Sequence, residues 1–445
     1  MQSLNDTIAA LATPPGEGGI AIIRISGNEA IAIADHLFSG SVSSYKTHTA
    51  HFGHIIDEKK IDEAICLVMR APRSYTGEDV VEFQCHGGMI ASKKVLEATL
   101  KAGARAASPG EFTFRAFMNG KIDLTQAEAV QQLIAAKSEQ AYLVASKHLE
   151  GSLSDKVKGF QHQLTQIAAI LEAWVDFPEE GIEFASQEEI LEELYSIQTE
   201  MKYLIQTFED GRKLTHGITL AIIGAPNAGK SSLMNALLDE ERAIVTPHAG
   251  TTRDLLQEDL CIAGIHFRLI DTAGIRVTDE EIEQEGIARA KKMMQEADLV
   301  LLVIDVTSEL PHLLSSIPKE KTLCLFNKID LPHTKPLLDF PVQLSISAKT
   351  KEGVNSVRET LTKIVWSRGA PPKDEIMLTQ TRHKEAIVQA HDALEQLHVG
   401  LCEKRSPELL TSDIRASLFA LGRIIGTNTS EDILSSIFST FCIGK

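Results

Sequence analysis

Hydrophobic and polar positions change texture along this chain in a way that divides it into parts. Up to about residue 118 the apolar positions form short strand-like runs around one helical run. Ile20 to Ile25 and Val80 to Cys85 read as strands, and Ser92 to Ala102 reads as a helix. Two loops rich in glycine lie in this part, Ala12-Thr13-Pro14-Pro15-Gly16-Glu17-Gly18-Gly19 and Cys85-His86-Gly87-Gly88. Along Val80 to Cys85 the period of two puts Glu82 and Gln84 on the face opposite Phe83. A lone strand glutamate of this kind reads as solvent-facing, and His86 before two glycines reads as a turn residue. From 119 to 215 the spacing becomes helical. Asp123 to Glu150, Lys156 to Val175 and Ser186 to Phe208 predict long helices, broken by Asp176-Phe177-Pro178-Glu179-Glu180-Gly181-Ile182, an acidic solvated turn. No repeat period is present, which points to a bundle rather than a solenoid.

Between 216 and 366 strand-like and helix-like runs alternate. Ile218 to Ile223 is a buried strand, and Ser232 to Leu238 follows as a helix. Leu255 to Ile262, Ala263-Gly264 and Ile265 to Ile270 predict a β-hairpin. Leu299 to Asp305, Thr322 to Phe326 and Val342 to Ile346 supply further strands for a mostly parallel sheet with helices on both faces. After Pro371-Pro372 helical spacing returns in Thr381 to Cys402 and Pro407 to Ile425, with a last helix before the C-terminus. The predicted fold class is therefore multidomain α/β plus all-α. An N-terminal α/β domain (1–118) precedes a helical domain in two parts (119–215 and 367–445), into which a P-loop domain (216–366) is inserted.

The candidate chemistry is densest in the inserted part. Gly224-Ala225-Pro226-Asn227-Ala228-Gly229-Lys230-Ser231 joins a strand to a helix, so unpaired backbone N–H groups and the positive helix end face one spot. Phosphates bind such a spot, with the lysine reaching the β- and γ-phosphates and the serine hydroxyl ligating Mg²⁺. Asp271-Thr272-Ala273-Gly274 stands at the end of a strand, where an aspartate would hold Mg²⁺ through water. Asn327-Lys328-Ile329-Asp330 ends another strand, and its aspartate suits the paired N–H donors of guanine, which adenine lacks. Ser347-Ala348-Lys349 completes a base-binding set. Each motif alone is weak; four in this order, each at a strand end, predict a GTPase of Ras-like architecture.

Two positions depart from the Ras pattern. Ile275 stands where a glutamine would orient the attacking water, and it can neither orient water nor move a proton. The acidic run Asp279-Glu280-Glu281-Ile282-Glu283 offers replacements, or is simply a solvated helix start, and the residues themselves do not choose among its carboxylates. Asn227 either braces the phosphate loop or holds a monovalent cation that supplies the charge of an arginine finger.

Composition narrows the setting. The chain has 445 residues and a net charge of −17, which disfavours a generic nucleic-acid-coating surface. Six scattered cysteines without zinc spacing suit a reducing cytoplasm. No run of about 18 apolar residues and no basic–apolar leader occur, so neither membrane insertion nor export is expected.

Taken together, Thr13-Pro14-Pro15-Gly16, the Gly224–Ser231 loop, Gly250-Thr251-Thr252-Arg253-Asp254, Asp271-Thr272-Ala273-Gly274-Ile275-Arg276 and the terminal Phe441-Cys442-Ile443-Gly444-Lys445 resemble the MnmE (TrmE) family of tRNA-modification GTPases over essentially the whole chain. The Gly-Thr-Thr-Arg-Asp and Asp-Thr-Ala-Gly stretches are shared with GTPases of the Era/Der type. The Arg24 region, Tyr75-Thr76-Gly77-Glu78-Asp79 and the Cys-Ile-Gly-Lys tail are more specific. The resemblance implies an N-terminal tetrahydrofolate-binding fold that drives homodimerisation. It implies folate contacts at Arg24, Glu82, Lys121 and Lys445, with Cys442 taking part in the modification. It implies a nucleotide site drawn from Asn227, Ala228, Gly229, Lys230, Ser231 and Ser232, from Thr246, Pro247, His248, Ala249, Gly250, Thr251 and Thr252, and from Asp271, Thr272, Ala273, Gly274, Asn327, Lys328, Asp330, Ser347, Ala348 and Lys349. Ser231 and Thr252 would ligate Mg²⁺; Asn227, Thr246, His248 and Thr251 would hold K⁺; Glu283 would position water.

The resemblance further implies work with an FAD-dependent partner, MnmG (GidA), in a heterotetramer or larger complex with tRNA as substrate. An aminomethyl or carboxymethylaminomethyl group is added at C5 of the wobble uridine. The one-carbon source is a tetrahydrofolate derivative, 5,10-methylene- or 5-formyl-tetrahydrofolate. Rival readings are a ribosome-assembly GTPase and a purely regulatory one. The first would show an RNA-binding domain or a basic tail, and the second would not need a folate-like N-terminal domain. The terminal cysteine is expected on a mobile tail.

Overall fold

The structure, a computed structural model, describes residues 6–176, 186–238, 259–270, 293–308, 317–332, 337–366, 372 and 375–445. Two compact units are present. One joins Met1–Ala135, Ala145–Tyr203 and Arg382–Lys445, and the other joins Ala136–Val144 to Leu204–Thr381.

In the first unit the strands are β1 (Ile8–Leu11), β2 (Ile20–Ser26), β3 (Thr49–Asp57), β4 (Lys59–Met69), β5 (Val80–His86) and β6 (Arg105–Ala106). They lie in the order β3-β4-β5-β2-β1-β6, antiparallel except for the β1–β6 pair. Helices α1 (Ala30–Leu37) and α2 (Met89–Lys101) cover one face, where Ile23, Ile25, Leu37, Phe83 and Val95 form the core. Sequence pattern alone passes over β1, β3, β4 and β6. The β3–β4 ribbon turns through Glu58 in the left-handed region (φ 58°), places Gly53 at a buried position and half-buried histidines beside it, and leaves Phe52 exposed. It therefore lacks the apolar run that marks β2 and β5.

Helices α3 (Glu111–Met118), α4 (Leu124–Ala135), α5 (Glu139–Leu149), α6 (Ser152–Asp176) and α7 (Gln187–Gln206) follow. The single helical run expected from Asp123 to Glu150 is two helices. Ser138 ends the first by capping the second, its Oγ accepting from Ala141 N at 3.2 Å. The acidic turn expected at 176–182 lies, beyond Asp176, outside the described residues.

The second unit holds α8 (Phe208–His216), β7 (Ile218–Ile223), α9 (Lys230–Leu238), β8 (Asp259–Ile262), β9 (Ile265–Ile270), β10 (Leu299–Asp305), β11 (Thr322–Asn327), β12 (Val342–Ser345) and α10 (Val354–Val365). The sheet order is β12-β11-β10-β7-β9-β8, and only the β8–β9 hairpin is antiparallel. Its turn uses Ala263 and Gly264, both at positive φ (51° and 77°), the paired left-handed geometry whose twist matches the flanking strands. Both faces are buried, Leu220, Leu301 and Leu325 toward α9 and α10, and Ala221, Val300 and Phe326 away from them. Burial on both faces explains why these strands read as unbroken apolar runs. The mixed α/β plus helical architecture with a P-loop sheet is the predicted one.

The chain ends in the first unit with α11 (Thr381–Cys402), α12 (Pro407–Ile425) and α13 (Glu431–Ser439). A buried charge cluster ties three helices of that unit. Arg382 donates to both oxygens of Glu128 on α4, at 3.1 and 2.8 Å, and to the carbonyl of Ile424 at the end of α12 at 3.1 Å. His383 Nε2 lies 2.7 Å from the same carboxylate. Burial alone would raise the Glu128 carboxyl, yet His383 and Arg382 hold it down at about 2. Burial pulls the His383 ring below its ordinary value.

Both shifts have the same sign for stability. Each group is depressed in the fold, so its contribution is present above its unfolded value and is lost as pH falls through the folded one. Acid should therefore loosen this unit, beginning below about pH 6.5 as the unfolded histidine charges and continuing through the carboxylate range. Glu128→Gln should cost about 1–3 kcal/mol at neutral pH, because the largely covered Arg382 loses its charged acceptor and keeps backbone carbonyls. Amide exchange in α11 read against pH for wild type and variant checks both statements; a flat profile would contradict them. Among the described residues no helix is long and apolar enough to cross a membrane.

Candidate functional site

The loop between β7 and α9 owes its glycines to neighbouring strands. A Cβ on Gly224 would lie 2.3 Å from Val303 O on β10, and one on Gly229 (φ 97°) would lie 2.1 Å from Asn327 Nδ2 on β11. Asn227 takes the left-handed conformation at φ 60°, one that asparagine tolerates better than most residues. The Lys230 ammonium donates to Gly224 O at 2.8 Å and Ala225 O at 2.7 Å, which keeps it against the loop. Burial lowers its pKa. Ser231 and Ser232 follow in the first turn of α9, whose leading N–H groups have no partner within the helix.

One buried side chain joins this loop to the other motifs. Asn327, 2% exposed at the end of β11, donates from Nδ2 to Ala228 O at 2.8 Å and accepts from Ala348 N at 2.9 Å through Oδ1. Ser347 Oγ donates to Asp330 Oδ1 at 2.7 Å, and that bond is the main reason the Asp330 carboxyl lies below its usual value. Lys349 adds its charge in the same sense. Lys328, at φ 71°, places Nζ 2.6 Å from Asp305 Oδ2 at the end of β10. Burial would raise the Asp305 carboxyl, but bonds from Lys328, Thr307 and Ser308 bring it down to about 2. The Asp305-Thr307-Ser308 group went unnoticed in the sequence; an aspartate ending a strand just before two hydroxyl residues is the available signal. Residues 227–232, 327, 328, 330 and 347–349 thus line one end of the parallel sheet. Thr246, Pro247, His248, Ala249, Gly250, Thr251, Thr252, Asp271, Thr272, Ala273, Gly274, Ile275, Asp279 and Glu283 lie outside the described residues.

A second polar cluster sits in the first unit. The register of β2 against β5 sets Arg24 opposite Glu82, and Arg24 Nε donates to Glu82 Oε1 at 2.8 Å. Glu82 is therefore buried, at 8% exposure, and not solvent-facing as its place in an isolated strand suggests. The Arg24 guanidinium lies over the rings of Tyr75 and Phe112, 5.8 and 5.6 Å from their centroids; Tyr75 belongs to a stretch the sequence reading marked as family-specific, and Phe112 was not selected. Its Nη1 donates to Gly444 O at 3.1 Å. Burial, then the Arg24 charge, lowers the Lys445 pKa, while Glu82 and Cys442 act the other way. Lys121 has a separate partner, Pro72 O at 3.0 Å.

The C-terminal tail is docked, not free. Phe441 is buried among Leu124, Leu434 and Phe438. Gly444 (φ 95°) fits against β1 so closely that a Cβ would stand 2.4 Å from Leu11 O. Cys442 itself remains exposed. His86, expected as a turn residue, closes β5 and pairs with Asp62 at 2.7 Å, which raises its pKa.

Comparison with known proteins adds the family. The family model described as GTP-binding protein TrmE N-terminus matches residues 7–121, and the one described as MnmE helical domain matches residues 124–442. A relative from Protochlamydia amoebophila (strain UWE25), described as tRNA modification GTPase MnmE, is 54% identical over 99% of this chain and 98% of its own length. Relatives of the same description from Chlamydia pneumoniae and Chlamydia trachomatis serovar L2 are 45% and 44% identical, each over 99% of both chains. With both family models matched and similarity running over 98–99% of the length of these relatives, the chain belongs to the MnmE family of tRNA modification GTPases.

Proposed function

We propose that this chain hydrolyses GTP as part of tRNA modification, with phosphates held by residues 224–232 and the guanine read by Asp330. The observation that carries this reading is the Asn327 side chain, bonded at once to the phosphate loop and to the Ser347–Lys349 loop. Lys230 supplies positive charge at the phosphate oxygens, and Asp330 accepts the paired N–H donors of the guanine edge. Asp330→Asn tests it directly. Xanthine offers a carbonyl where guanine offers an amine, so an amide restores complementarity to xanthosine triphosphate and loses it to GTP. Competition binding should show GTP weakened about a hundredfold or more and xanthosine triphosphate correspondingly favoured. Unchanged preference for GTP would remove Asp330 from the base site.

Ser231, at the first turn of α9, and Thr252 fit Mg²⁺, a hard cation that neutralises charge developing on the phosphates. Asn227, Thr246, His248 and Thr251 offer oxygen donors of the kind K⁺ takes, and Asn227 stands in the loop at φ 60°. Glu283 takes the water-positioning role that Ile275 cannot. On this reading turnover depends on K⁺, and replacing it by Na⁺ should slow hydrolysis well beyond any change in GTP affinity; equal rates in both salts would contradict it.

The Arg24–Glu82 pair with Lys445 supplies both a carboxylate for the amide-like edge of a pterin and cations for a glutamate tail, which fits a tetrahydrofolate derivative. Lys121 joins that set by resemblance alone. Cys442 is the candidate catalytic thiol beside it. Homodimerisation, an FAD-dependent MnmG partner, addition at C5 of the wobble uridine and a cytoplasmic setting complete the reading. These rest on the resemblance to the family alone; the descriptions of the relatives name tRNA modification and a GTPase.

A further inference from the structure

The β8–β9 hairpin touches Lys137 and Gln140 of the segment 136–144. Residues 136–144 belong to the second unit, although 135 and 145 belong to the first. Within the second unit Lys137 Nζ lies 2.6 Å from Asp259 Oδ2 at the start of β8. The other oxygen of Asp259 lies 2.9 Å from His266 Nε2 on β9, so one carboxylate receives both partners. His266 in turn sits against the junction of α8 and β7, where a Cβ on Gly217 would stand 2.3 Å from its Nδ1. Gln140 abuts the hairpin turn, its Cγ 3.4 Å from a Cβ built on Gly264. Val144 packs with Leu214 and Met377, close to where the chain enters and leaves this unit.

The same hairpin is continuous in sequence with the segments that the GTP reading assigns to the nucleotide. β8 begins shortly after Thr252, and β9 ends at Ile270, immediately before Asp271. Its strands are paired over their whole length, from Asp259↔Arg268 to Ile262↔Ile265. A paired, twisted ribbon moves as one piece, so a change at Thr252 or Asp271 reaches its other contacts.

We propose that Lys137 and Asp259 form the positioning contact through which the β8–β9 hairpin transmits the nucleotide state to residues 136–144 and so along α5. The proposal rests on the GTP reading above. Neither residue is among those assigned to nucleotide, metal or water. As a half-exposed pair it adds little to folding stability, so replacing Lys137 probes coupling more than stability. His266 and, after it, Lys137 hold the Asp259 carboxyl at about 2, which keeps the acceptor charged throughout the working range.

The test is hydrogen exchange on the full chain, loaded with GDP or with a non-hydrolysable GTP analogue. Wild type should show a nucleotide-dependent difference in peptides covering 136–149. Lys137→Ala should lose that difference, Lys137→Arg should keep it, and GTP turnover of the alanine variant should stay within about twofold of wild type. Peptides covering residues 224–232 report binding independently. If they are protected while 136–149 is indifferent to the nucleotide in wild type, or responds equally in Lys137→Ala, the transmission proposal is overturned. If residues 224–232 gain no protection in wild type, the GTP reading itself fails, and this inference with it.

Discussion

Gly229→Ala is expected to abolish useful nucleotide binding while leaving the helical unit folded. The added methyl would fall 2.1 Å from Asn327 Nδ2, at a backbone φ of 97° that alanine disfavours. Either the loop or Asn327 must move. Strain of this kind costs about 1–3 kcal/mol, and displacing Asn327 strands the buried Ala228 carbonyl and Ala348 N–H at about 1–3 kcal/mol more. Since about 1.4 kcal/mol is tenfold in affinity, a loss of a hundredfold or more follows. Titration with a fluorescent guanine nucleotide, alongside exchange in α11 as a control for folding, reads the effect. Affinity within about threefold of wild type would mean that the Asn327 bridge is dispensable.

The second large effect concerns the tail. Deleting Cys442–Lys445 removes the exposed thiol, the Lys445 ammonium and the carbonyl that Arg24 holds, but leaves Phe441 in its apolar cluster. Modification of tRNA in a reconstituted system should then be lost. GTP turnover should stay within about twofold, because residues 224–232 and 327–349, proposed to hold the nucleotide, belong to the other unit. Extending the deletion to Phe441 is a different experiment. It also opens the core shared with Leu124, Leu434 and Phe438, at about 3–5 kcal/mol for a buried phenylalanine. Full modification by the shorter deletion would reduce the tail to a packing element. Loss of GTP turnover as well would mean that it supports the fold.

The contrast between these two sites tracks how each was legible. The phosphate loop is local: β7, a glycine-containing turn and α9 follow one another, so strand pattern, glycines, lysine and serine announce it in one stretch. The Arg24–Glu82–Lys445 cluster is not local. Its members come from two strands and the chain terminus, and no spacing rule joins them. Only the resemblance to a family pointed there, and reading Glu82 by itself gave the wrong exposure. The β3–β4 ribbon escaped for a related reason, since its side chains gain meaning from neighbours on β5.

The amino-acid sequence by itself determined the strands β2, β5 and β7 to β12, most of the long helices, and the strand–turn–helix stretch at residues 218–238. Each is written in periodicity or in residues adjacent along the chain, which short-range sterics and backbone hydrogen bonding convert directly into structure. Tertiary structure alone decided why residues 224 and 229 must be glycine, which polar side chain stitches the loops together, that Glu82 is buried, and that the tail is docked. Those facts depend on atoms from distant segments arriving within about 3 Å of one another, and strand register and core packing, not local sequence, bring them there.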